Sequence, residues 1–186
     1  MKDKIKKSAI NLFYKKGYFA TSMSTIAKAT GIRKSSIYHH YETKEDILLD
    51  IFRSTMNDLL ANMHSRLSEV SEAKARIRAV IDCHIIFHIQ RQKEAIIADS
   101  ELRGLSARNY KEIIQMRDEY EKLIQNVLEE GVAEKVFDAS DVKVLSYAIL
   151  SMCTTVCVWF KKSGRLPKET VADIYADFIL KGLAKT

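Results

Sequence analysis

The chain has 186 residues, 47% of them hydrophobic, with one proline and six glycines, so it can bury a core and favours long helices over disorder. Its net charge of +6 is confined to one end: residues 1–48 hold ten Lys or Arg against four acids, and the other 138 residues are neutral. Such a basic end is expected where a phosphate backbone must be neutralised, although a solvated lysine-rich N-terminus has the same composition.

Helical periodicity dominates, and no stretch alternates with period two. Ile5, Ala9, Leu12 and Phe13 form the apolar stripe of a first helix that stops at Gly17. Residues 21–48 then read as a short helix, a glycine turn and a second short helix. Ile26 and Ala27 face inward on the first, and Ala27 is small enough for a second helix to cross close by. Gly31 supplies the turn, where a positive φ costs glycine little. Ile32 and Ile37 back the second helix, roughly Lys34 to Tyr41, whose other side carries Lys34, Ser35, Ser36, Tyr38, His39 and His40. This is a helix-turn-helix, whose second helix enters the major groove of DNA.

Thr43 is expected to cap a helix from Lys44, with Asp46 completing a capping box, and the polar stretch Ser65 to Glu72 to form a turn. Further helices are expected near 73–91, 93–103, from Ala107 to a stop at Gly131, from Ser140 to Lys162, and from Pro167 to Gly182. The fold class is all-α, about nine helices, with a three-helix head at 1–46 and a larger helical body at 47–186.

The N-terminus is a charged amphipathic helix without a signal-peptide core. The apolar run near 144–160 is interrupted by Ser146, Ser151, Thr154 and Thr155, so no membrane-spanning segment is expected. Cys83, Cys153 and Cys157 are odd in number and lie in apolar helical context, as reduced thiols in the cytoplasm would. His84 and His88 stand four apart on one helical face, a spacing that can grip a metal. Cys83 and Asp82 lie off that face, two ligands do not make a site, and no metal or cofactor is expected. No nucleophile–base or paired-carboxylate constellation points to an enzyme.

The N-terminal motifs carry a family resemblance. Gly17-Tyr18, Ser22 to Ala27, Gly31-Ile32, Ser36 to Tyr41 and Thr43-Lys44-Glu45 stand as in the TetR family of one-component bacterial transcription regulators, which the chain resembles over its first 50 residues or so. In the body, Glu101 to Leu105, Arg117 to Glu121 followed by Glu130-Gly131, Met152-Cys153 through Trp159-Phe160, and Phe178 to Leu183 resemble the subgroup that regulates lipid and sterol breakdown in response to acyl-CoA thioesters. Thr155 departs from an aromatic there, and Val158 from a basic or polar residue.

The resemblance implies a DNA-binding regulator of transcription, a repressor released from a palindromic operator by a small apolar or acyl-CoA ligand. Lys34, Ser35 and His39 are then expected at base edges. Arg33 reads guanine bidentately or clamps a phosphate, and Ser22, Ser24, Ser36, Tyr38, His40 and Lys44 hold phosphates. Phe87, Met116, Tyr120, Met152 and Trp159 are the expected apolar ligand lining, His88 a polar member, and Arg103 and Arg117 partners for an anionic end. Helices near 140–162 and 167–183 are expected to pair with their mates in a homodimer, setting two recognition helices about 34–36 Å apart or somewhat further. A regulator of another hydrophobic compound such as a drug, or a ligandless DNA-binding adaptor, would share the head and differ in the body.

Overall fold

A computed structural model describes residues 1–184. Among them nine helices have five residues or more: α1 (Lys2–Lys16), α2 (Met23–Thr30), α3 (Lys34–Tyr38), α4 (Lys44–Ser68), α5 (Ala73–Gln90), α6 (Gln92–Ser100), α7 (Ala107–Ala133), α8 (Val142–Thr154) and, after a four-residue α9 (Val156–Trp159), α10 (Lys168–Leu183). A 3-10 turn spans Leu102–Gly104, and the described residues hold no strand beyond one isolated bridge between Phe137 and Ala184. The all-α expectation stands. The chain divides into two compact units: Met1–Asn57 with Lys93–Gln115, and Asp58–Gln92 with Met116–Thr186.

In the first unit α1 buries Ile5, Ala9 and Phe13 and ends at Gly17, whose N–H still donates to Phe13 O and whose φ of 82° turns the chain out of the helix. Ser22 caps α2 by accepting from the Thr25 N–H at 3.1 Å. Gly31, at φ 75° and ψ 32°, closes α2 in the left-handed conformation, and the Ile32 N–H returns to Ala27 O at 3.0 Å. The capping box at α4 is present in both directions: Thr43 N–H donates to Asp46 Oδ2 at 2.8 Å, and Asp46 N–H donates to Thr43 Oγ1 at 3.1 Å.

Several boundaries differ from the sequence expectation. The second helix of the motif ends at Tyr38, so His40 and Tyr41 lie beyond it, with both N–H groups donating to Ile37 O. α4 continues through Ser65 to Ser68 before the turn. α7 runs past Gly131 to Ala133, and the chain reverses at Lys135, the one described non-glycine residue with positive φ. Gly131 is glycine because the Phe137 ring lies against it: a Cβ there would stand 2.0 Å from Phe137 Cδ2.

The expected helix 140–162 is broken at Thr155 into α8 and α9. Gln92 Nε2 donates to the carbonyls of Cys157 and Phe160, satisfying acceptors at the end of this run. Val142–Trp159 has the length and hydropathy of a membrane-crossing segment, but α8 itself has thirteen residues, short of the roughly twenty a crossing needs. Pro167 is the N-cap of α10 rather than its first residue.

Candidate functional site

The polar side of α3 has the geometry of a reading surface. Ile37 is fully buried beneath it, anchoring the helix, while Arg33, Lys34, Ser35, Tyr38, His39 and His40 are exposed and Ser36 is half-buried. Ser22 and Ser24, at the start of α2, are exposed too. Every expected DNA-facing residue except Lys44 therefore presents at least part of its side chain to solvent with no internal role beyond the Ser22 cap. Tyr41 is buried and donates its hydroxyl to Asp50, which, after burial itself, holds the phenol well above its usual range.

Lys44 differs from the expectation of a phosphate clamp. Its ammonium donates to Tyr18 O and Thr21 O, both at 2.8 Å, and lies 4.1 Å from the centre of the Tyr18 ring. Burial lowers its pKa, and the Glu101 carboxylate works the other way. Two of its three N–H groups are thus committed to the corner between α1 and α2, so Lys44 first fixes the shape of the head.

The corner has a further partner that the sequence did not disclose. Glu101, at the end of α6, is nine-tenths buried, and its Oε1 accepts from the Tyr18 N–H at 3.2 Å. A few residues on, Ser106 N–H and Asn109 Nδ2 both donate to Glu45 Oε1, at 2.7 and 2.6 Å, and these bonds pull the Glu45 pKa down. Glu101 was legible only as part of a resemblance block, since its partner is 83 residues away.

In the second unit a buried polar cluster sits among the expected ligand residues. His84 pairs through Nδ1 with Tyr120 Oη and through Nε2 with Thr154 Oγ1, both at 2.9 Å. His88 donates from Nδ1 to His84 O at 2.8 Å and stacks on the His84 ring with centroids 4.0 Å apart. Phe87 meets His88 edge-on at 6.0 Å. Burial pushes His84 well below 6.5, with His88 adding to the shift. Burial takes His88 down to about 4, where the His84 carbonyl opposes and Arg117 assists. Tyr120 is raised by burial. This is an electrically neutral cluster, and among the described residues no group of three or more His, Cys, Asp or Glu could hold a metal.

The other expected ligand residues divide. Met116, Arg117 and Met152 are half-buried in the same unit. Arg103 belongs to the first unit, exposed, with its guanidinium 5.7 Å from the Phe19 ring centre. Trp159 is half-exposed and lines a groove of about 310 Å³ with Phe160, Lys161, Arg165, Ile174 and Tyr175 among its walls. The sequence pointed to Trp159 and Phe160 but not to the loop cations, because Lys161 and Arg165 stand at and beyond the end of the expected 140–162 helix, where no pattern marks a wall.

Comparison with known proteins bears on the same two regions. Residues 5–51 match the bacterial regulatory proteins of the tetR family, and residues 70–183 match the tetracyclin repressor-like C-terminal domain. The chain belongs to the TetR family. This TetR-family protein is a DNA-binding regulator of transcription. It is 29% identical, over 95% of its own length and 87% of the other, to the HTH-type transcriptional repressor KstR2 of Rhodococcus jostii (strain RHA1). It is 23% identical, over 95% and 92%, to the fatty acid metabolism regulator protein of Bacillus subtilis (strain 168). Among solved structures it is similar to AibR in complex with isovaleryl coenzyme A and operator DNA, with 27% identity and a TM-score of 0.87 over 95% of this chain and 96% of that one.

Proposed function

We propose that this regulator is a cytoplasmic homodimeric repressor that grips a palindromic operator with two copies of α3 and is released by a small apolar or acyl-CoA ligand. The observation that carries the DNA half is the α3 face: an exposed row of donors and cations set on a fully buried Ile37, in the segment that holds all of the net positive charge. Lys34, Ser35, His39 and Arg33 would meet base edges. Ser22, Ser24, Ser36, Tyr38 and His40 would hold phosphates, with Lys44 acting chiefly from within. Residues 1–46 form the DNA-binding part, and 47–186 bind ligand and dimerise.

Two features of the second unit support an amphiphilic effector. The groove beside Trp159 joins aromatic and aliphatic walls to Lys161 and Arg165, a pairing that suits an apolar chain with an anionic head. The neutral cluster around His84, His88 and Tyr120, with Phe87, Met116 and Met152 on the same helices, suits an uncharged acyl portion. The relatives point the same way, since one regulates fatty acid metabolism by name and one was solved with an acyl-CoA. A ligand that binds the released conformation better than the DNA-bound one must weaken DNA affinity by the same factor.

Dimerisation is supported by the outer faces of α8 and α10. Val144, Tyr147, Ile174 and Phe178 are exposed, while Asp173 and Asp177 on α10 pair with Arg78 of α5.

The test has two arms. Selection from a random-sequence DNA pool should return a palindrome, and recovery of no sequence would end the repressor reading. Melting curves with acyl-CoAs of graded chain length, free CoA and free fatty acids should shift most at one acyl length. No shift with any thioester would turn the effector class to uncharged apolar compounds.

A further inference from the structure

The corner between α1 and α2 is held on both sides of one residue. Tyr18 offers its N–H to Glu101 Oε1 and its carbonyl to Lys44 Nζ, and the same ammonium takes Thr21 O. Ser22, the cap of α2, follows directly. The segment that brings Glu101 also closes on the Tyr18 side chain. Gly104 lies so near that a Cβ would stand 2.7 Å from ring carbons Cδ1 and Cε1, and 3.0 Å from Leu48 Cδ2. Tyr18 is thus bounded by Glu101 at its backbone nitrogen, Lys44 at its oxygen and Gly104 at its ring.

We propose that Glu101 is a positioning residue for DNA binding, acting through the Tyr18 N–H to fix the α1–α2 corner and with it the start of α2. This inference rests on the repressor reading above. Three observations single out this carboxylate. It is nine-tenths buried, a costly site for a charged side chain in a merely space-filling role. Among the described residues its Oε2 is buried with no hydrogen-bond partner, so the Tyr18 N–H is the carboxylate's one direct hydrogen bond there. Its field acts on the Lys44 ammonium, opposing the lowering of the lysine pKa that burial imposes. The carboxylate that holds Tyr18 N–H therefore also steadies the cation that holds Tyr18 O.

Among the described residues the Glu101 carboxylate makes no hydrogen bond to α3. Its effect on DNA must pass through the corner: Ser22 and Ser24 are set by where α2 begins, and α3 packs against α2 and is joined to it by the Gly31–Ile32 turn. Loss of the carboxylate leaves the corner free to wander, and DNA binding must then order it. The weakening is uniform over sequences, because no base contact is lost, and the salt slope is unchanged, because no phosphate contact is lost.

The experiment compares Glu101→Ala and Glu101→Gln in the full chain, on the duplex recovered by random-pool selection with the wild type, by fluorescence anisotropy well below each variant's Tm. Glu101→Ala should bind at least about tenfold more weakly at every salt concentration, and Glu101→Gln, which keeps an acceptor for Tyr18 N–H, should regain most of that loss. Wild-type affinity in Glu101→Ala, or a Glu101→Gln variant as weak as Glu101→Ala, overturns the proposal. Amide exchange on the wild type needs no variant: the Tyr18 N–H should be protected in the free protein, and exchange there at the rate of an open amide also overturns it. If selection returns no DNA at all, it is the repressor reading that has failed.

Discussion

Among the residues of α3, Lys34 separates base reading from simple attraction to DNA. It is exposed at the first position of the helix, where N-terminal residues of a recognition helix reach base edges. Lys34→Ala should lower affinity and also flatten the preference at one or two positions of the selected site, by about 1–3 kcal/mol of discrimination for a good base contact. Selection repeated with the variant reads this directly, and an unchanged sequence logo would leave Lys34 as a phosphate contact only. In the other unit the residues at stake are His84 and His88, both neutral because burial opposes their charge. An unfolded chain takes up protons near pH 6.5 while the folded one does not, so the unfolded state gains as the pH falls. Stability from this pair is full above about 6.5 and declines below it, in the case of His88 down to about 4, with a slope of at most roughly 1.4 kcal/mol per pH unit for each histidine. Urea melts between pH 7.5 and 5 should show that decline, and His88→Gln should remove one histidine's share. A variant with the wild-type slope would mean that the fold does not hold His88 below its ordinary range.

At the scale of elements, the sequence was most legible where structure is local and least where a distant partner decides. The caps show the first case: Ser22, Gly31 and the Thr43–Asp46 box satisfy backbone groups within four residues, so their spacing is visible in the sequence. The exposed face of α3 was legible for the same reason, as the polar side of a short amphipathic helix. Gly131 shows the second case. A glycine near a helix end reads as a stop, yet here α7 continues two residues further and the missing side chain makes room for Phe137. Similarly, the break at Thr155 has no glycine or proline to announce it, and the carbonyls of Cys157 and Phe160 find their donor on Gln92, more than sixty residues earlier. Glu101 was hidden for that reason too. The Gly131 account makes its own prediction. An ordinary helix stop would tolerate alanine, whereas Gly131→Ala should destabilise by about 1–3 kcal/mol, because the new methyl must displace the Phe137 ring. The companion Phe137→Leu in the Gly131→Ala background should recover part of that loss. A neutral Gly131→Ala in thermal melts would return the glycine to the role of terminator.

For the whole molecule the decisive quantity is how many heads meet the DNA. Phe178 on α10 is 67% exposed and Val144 on α8 is 59% exposed, with Tyr147 and Ile174 also open on the same two helices. Apolar side chains of this size, exposed on two helices that both pack on α5, are expected to find a partner. A two-fold axis lets one face cover itself in a second copy. Phe178→Glu places a carboxylate on that face, where it would meet the same carboxylate or apolar surface across the axis. Because Phe178 is exposed in the single chain, the change should leave helix content and the head intact. Sedimentation should show a dimer for the wild type and a monomer for the variant at micromolar concentration. Binding to a palindrome should fall with it, since the second head no longer binds at high local concentration, by about 10²–10⁴. A half-site duplex distinguishes this from damage to the head: wild type and variant should bind it alike. A variant that stays dimeric would move the interface off α8 and α10. A monomer that still holds the full palindrome with wild-type affinity would mean that one head suffices, and the two-fold repressor reading would fall with it.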